Sequence, residues 1–144
     1  MAAFSAYLEN KIIDWLLRGQ AFTPPATVYV ALMTATAGPS GGGTEVSGGS
    51  YARVGVASSL ANWAGTQADG STVASSGATG KTSNNAAIGF ATPTAAWGSV
   101  VGVAIYDALT GGNLLFYGAL TSAQTVGIGN TVSFSPAQMA LTLS

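Results

Sequence analysis

By residue type and spacing, the string most suited to chemistry is Gly77-Ala78-Thr79-Gly80-Lys81-Thr82, which mimics the end of a phosphate-cradling loop. In such a loop main-chain N–H groups and a lysine ammonium hold phosphate oxygens. The glycine that opens the motif would fall at position 75, which is Ser75. No hydrophobic strand precedes the string and no helical pattern follows it, so it reads as a flexible turn. Carboxylates offer the other route. Glycoside hydrolysis needs two in one cleft, and the chain has Glu9, Asp14, Glu45, Asp69 and Asp107. Glu9 and Asp14 fit the solvated face of a helix, and Glu45 and Asp69 fall in glycine-rich loops. Asp107 sits at a hairpin end, where aspartate commonly stabilises a turn. No two acids fall within one loop as a calcium site requires. Histidine and cysteine are both absent, which removes the commonest general base, thiolate metal ligands and disulfides. Serine is abundant but has no histidine to activate it. The expectation is a protein with no catalytic residues, no metal and no cofactor.

Charge narrows the options further. Only 6% of residues are charged, against roughly 25% in an average soluble domain. Four basic residues cannot supply the cluster that displaces counterions from nucleic acid or docks on an anionic membrane. Mean hydropathy is +0.41, yet a spanning helix needs about 20 consecutive apolar residues. Ile12 to Leu17 is interrupted by Asp14, and Val100 to Tyr106 contains glycine. Met1 to Asp14 lacks a basic start and carries Glu9, so no signal peptide is expected and synthesis is expected in a cytoplasm. Neither nucleic acid nor membrane is an expected partner. A near-neutral, charge-poor surface promotes association, which suits a permanently assembled protein.

The elements that would position these groups are mainly strands. One helix is clear, over about residues 5–18. Ser5 is a fitting N-cap, and Phe4, Leu8, Ile12 and Trp15 or Leu16 recur at helical spacing. Asp14 and Arg18 make an i,i+4 pair and Gly19 suits the C′ position. Ile13 and Leu17 widen the apolar arc, so the helix is expected to pack on a sheet and also touch a neighbouring chain. Thr27 to Thr34 is apolar on both faces and reads as a central strand. Ala35 to Ser50 is a long glycine-rich loop, of the length that is usually functional or disordered. Tyr51 to Ala57 alternates as a strand. Thr66 to Lys81 is low-complexity and irregular, with a short strand expected around Ser71 to Ala74. Ala86 to Phe90 reads as a strand. Ser99 to Ala108 and Asn113 to Thr121 flank Leu109-Thr110-Gly111-Gly112 as a β-hairpin. Gln124 to Ile128, Thr131 to Ser135 and Met139 to Leu143 complete the set, with Val132, Phe134, Met139, Leu141 and Leu143 facing inward. The sum is one mainly β domain over residues 1–144, a β-sandwich or jelly-roll-like fold with one N-terminal α-helix.

The aromatics Tyr51, Trp63, Trp97, Tyr106 and Tyr117 could stack on sugars or anchor a core or interface. Few charged or amide partners lie near them in sequence, which favours packing or interface.

Thr44 to Val54 (TEVSGGSYARV), Ser83 to Phe90 (SNNAAIGF), Trp97-Gly98 and Ile105 to Leu120 (IYDALTGGNLLFYGAL) resemble a family of small phage virion proteins. Its members are usually labelled phage tail fiber protein or minor structural protein. The helix followed by a YVALMT-type strand fits as well, so the resemblance spans nearly the whole chain. It implies a non-enzymatic virion component and brings no catalytic residues. Heptads and fibrous repeats are lacking, which directs the first expectation to a capsid decoration or cement protein bridging capsid subunits. The alternative is a tail-fibre or tail-tip component, binding host glycan through Trp63, Trp97 and the tyrosines. Expected partners are further copies of the chain, a trimer being one option, and virion proteins such as the major capsid protein. Expected contact residues are Ile13, Leu17, Pro39, Glu45, Val46, Tyr51, Trp63 and Trp97, with the two glycine-rich segments mobile before assembly.

Overall fold

A computed structural model describes residues 2–143. In chain order the elements are β1 (Ala2–Phe4), α1 (Ala6–Arg18), β2 (Thr27–Ala35), β3 (Thr44–Glu45) and β4 (Val54–Ala57). Then follow β5 (Lys81–Ser83), β6 (Ile88–Gly89), β7 (Gly98–Tyr106), β8 (Leu114–Val126), β9 (Ser133–Phe134) and β10 (Ala140–Thr142). The architecture is mainly β with one helix, as the sequence patterning predicts.

The β7–β8 hairpin organises the whole. Its turn is held by Asp107, whose carboxylate accepts from the Asn113 main-chain N–H at 2.7 Å and from its side-chain amide at 2.8 Å. Gly112 has φ +74°, and a Cβ there would meet Asp107 Oδ1 at 2.5 Å, so only glycine closes this turn. Around the hairpin, the large sheet runs β3-β2-β7-β8-β1-β10-β5, with β4 also on β2. β3 and β4 share one edge of β2 while β7 takes the other. That central place explains the doubly apolar run: Val30, Ala31, Leu32 and Met33 are all buried. β6 and β9 form a small second sheet. Ile88 and Phe90 join Leu32, Val100, Ile105, Leu115 and Leu141 in one core, so the two sheets close over a shared interior.

A bulge lets β8 serve both layers. Between the pairs Gly102↔Ala119 and Val100↔Gln124, two steps of β7 are matched by five of β8. Gln124 to Ile128 is therefore no separate strand: β8 continues to Val126, whose carbonyl accepts from Trp97 N at 2.9 Å. Other boundaries shift for local reasons. The strand expected from Tyr51 starts at Val54, because Tyr51 N turns back to Gly48 O and Ser50 has φ +63°. No strand forms at Ser71 to Ala74. There the Gln67 side chain donates to Ser71 Oγ and Ala74 O and accepts from Ser76 N, replacing a ladder. The Ala35 to Ser50 loop holds β3 and folds Val46 into the core, with Val46 N bonded to Leu32 O at 3.0 Å. Met139 and Leu141 face inward as expected, but Leu143 is exposed at the sheet margin.

Ser5 caps α1, accepting from Leu8 N at 3.2 Å, while its Oγ also bonds Leu114 O and its N–H donates to Leu115 O. The cap thus anchors the helix to β8. Gly19 ends it in the left-handed conformation at φ +69°. Inward, Leu8 is buried and Tyr7 and Ile12 pack on the core. Trp15 and Leu16, expected to continue that stripe, are instead exposed. The helix contacts only β1 and β8 among the elements, so its second half overhangs the sheet.

Candidate assembly surface

The charged side chains outside the helix are engaged in internal ties. Arg53 immediately precedes β4, and its guanidinium clasps Glu45 with two bonds, Nε to Oε1 at 2.9 Å and Nη2 to Oε2 at 2.8 Å. Its Nη1 donates to Ala108 O and Gly111 O, both at 2.8 Å, and the group lies 3.7 Å over the Tyr106 ring. The Tyr51 hydroxyl donates to Glu45 at 2.8 Å and accepts from Leu32 N at 3.0 Å. Burial raises the Glu45 carboxyl, but bonds from Arg53 and Tyr51 and the arginine charge outweigh it and hold the group below its ordinary value. Burial and the Glu45 carboxylate push the Tyr51 phenol up. This is a clamp between the β3 loop, β4 and the hairpin turn. Composition gave no sign of it. The only local signal is one arginine inside the alternating YARVGVA run.

The phosphate-loop lookalike is tied down too. Lys81 pairs with Asp69 at 3.3 Å, and Asp69 accepts from Ser83 Oγ at 2.6 Å. The Ser83 hydrogen bond and then the Lys81 bond hold the Asp69 carboxyl below its ordinary value. Among the described residues no three His, Cys, Asp or Glu side chains gather as a metal site. No helix among them is long and apolar enough to cross a membrane.

The expected contact residues divide. Val46 and Trp97 are buried within the chain and hold its core, so they are not free for a partner. Trp97 Nε1 donates to Gly49 O at 3.0 Å, and its ring meets Tyr51 edge-on at 5.4 Å. Tyr51 and Glu45 are half-buried in the clamp. Trp63 is half-buried and bridges to Asn84, lining a shallow groove with Leu60 and Leu143. Pro39 is exposed, and its carbonyl accepts from Ala6 N at 2.8 Å. Ile13 and Leu17 are exposed at 49% and 76%, and Leu16, not foreseen there, joins them at 66%. At 3.6 residues per turn these three share one outward face.

The result is a small β domain whose charged groups brace its loops and whose helix turns leucine and isoleucine to solvent. The family model described as Podophage GP4 fiber I protein gp80 matches residues 3–142. The chain belongs to that family, and is a phage virion structural protein. Among curated proteins, none matches it.

Proposed function

We propose that this chain is a non-enzymatic building block of a phage fibre that joins further copies of itself and neighbouring virion proteins by apolar contact. The family's name favours the fibre over the capsid-decoration role first expected from the sequence. The outward helix face of Ile13, Leu16 and Leu17 carries the reading. An isolated chain leaves these side chains in water, whereas burying each one is worth about 1.5–3 kcal/mol. Association itself costs roughly 4–15 kcal/mol in lost freedom, so the face acts with other contacts within an assembly. The lack of histidine and the internal pairing of Glu45 and Asp69 support the non-enzymatic part.

Sedimentation velocity tests the self-association. The unmodified chain is expected to form oligomers at micromolar concentration, and Leu16→Glu with Leu17→Glu to shift it to monomer. Both positions are exposed, so the circular dichroism spectrum should not change. A monomeric parent, or a double variant that still assembles, contradicts the proposal.

A further inference from the structure

Residues 2–18 form an arm. Its strand, β1, fills a slot between β8 and β10, where Ala2 lies opposite both Gly118 and Leu141. Its helix meets only β1 and β8 among the elements. The seat is exacting: Ala2, Ser5 and Leu8 are buried in it, and Ser5 N and Ala6 N donate to Leu115 O and Pro39 O. The tie between arm and body is loose by comparison. Residues 19–26 join α1 to β2 without forming helix or strand. Phe22 packs on the core, but among the described residues no main-chain hydrogen bond engages residues 21–25. Pro24 and Pro25 favour an extended path there.

We infer that assembly exchanges the arm: β1 and α1 of one copy fill the slot between β8 and β10 of a second copy. The inference rests on the self-association proposed above. The fit names the occupant, since every contact of the seat is kept when an identical chain supplies the arm. An empty slot would bare the facing edges of β8 and β10, so the slot calls for an arm, its own or another's. Eight extended residues reach about 26–29 Å, which lets an arm sit beyond the body that carries it. The overhang of α1 then has a place. Leu16 and Leu17 stand at the helix end that enters the linker, so in an exchanged pair they lie where the chain crosses from one body to the other. Side chains that the closed chain leaves in water are there set between two bodies, and their burial favours the exchanged form.

A disulfide trap tests this. The chain has no cysteine, so an introduced pair reports on the arm alone. Ala3 and Tyr117 face each other across β1 and β8. Ala3→Cys with Tyr117→Cys is oxidised at a concentration where sedimentation velocity shows oligomers, then run on a non-reducing denaturing gel. Dimer-sized or larger bands that collapse on reduction are expected, with only monomer from either single variant. Oligomers whose subunits carry the disulfide within one chain overturn the inference and leave self-association standing. A parent chain that stays monomeric in sedimentation overturns both. Where the pair does not close, linker length decides. An insert of about six Gly/Ser residues between Gln20 and Ala21 lets the arm fold back on its own body. Self-association is then expected to weaken at least about tenfold, as a lengthened hinge favours the closed chain. Unchanged self-association, with an unchanged circular dichroism spectrum, overturns the inference, because contact between closed chains does not depend on the linker.

Discussion

Arg53→Met is expected to destabilise the fold by about 3 kcal/mol, the low end of the range for breaking a largely buried ion pair. The Arg53 side chain is 7% exposed, and its partner Glu45 26%. Methionine keeps much of the volume but removes both bonds to Glu45 and both bonds to the hairpin carbonyls of Ala108 and Gly111. Glu45 would then keep only the Tyr51 hydroxyl as a side-chain partner. Urea unfolding followed by fluorescence should show the loss directly, with a melting temperature lower by about 10 °C. Arg53→Lys should recover only part of it, because an ammonium cannot make the paired, planar contact with a carboxylate. Acid dependence gives a second signature. Because the folded Glu45 carboxyl titrates below its unfolded value, its contribution is fully present above the unfolded value of about 4.3. It is lost as pH falls through the lower folded value. The parent should therefore lose stability on acidification below about pH 4.3, and Arg53→Met should lose much less over the same interval. An identical acid limb in both proteins would mean that the Arg53–Glu45 pair does not stabilise the fold.

Asn84→Asp should cost nearly as much at neutral pH, about 3 kcal/mol, although the two side chains match in size. Asn84 is buried; its amide donates to Ala86 O at 2.8 Å and Ser135 O at 2.9 Å, and its oxygen accepts from Met139 N at 2.9 Å. A carboxylate could accept from Met139 but would face two carbonyl oxygens without a proton to offer. Asn84 also bonds through its main chain to Ala137 and Met139, so it joins the β5–β6 link to the β9–β10 link. Chemical denaturation of Asn84→Asp and Asn84→Ala measures this. Loss of less than about 1 kcal/mol in both, the worth of one ordinary hydrogen bond, would mean the joint is not structural.

These two residues also mark where sequence reasoning stops. Hairpin and helix were legible because their causes are local: Asp107, Gly112, Ser5 and Gly19 act within a few residues of themselves. The doubly apolar β2 likewise announced its central position. The sheet order was not legible, since β1 lies between β8 and β10, far along the chain. Three residues cannot show a period. The bulge was hidden as well, because alternation on either side of it read as two strands. Arg53 and Asn84 owe their roles to partners 55 and 51 residues away, and a polar letter in an apolar run does not say which way it points. On the helix, the width of the apolar arc was plain, but its inner edge was not. Leu16 fits the core stripe by spacing and misses it because the sheet beneath ends too soon.

The proposed placement of the chain is within a fibre, where it would act by contact. Cryo-electron microscopy of intact virions decorated with Fab fragments against this protein tests it most directly. Fab density is expected on the fibres and none over the capsid faces. Regular density across the capsid faces, with bare fibres, would contradict it.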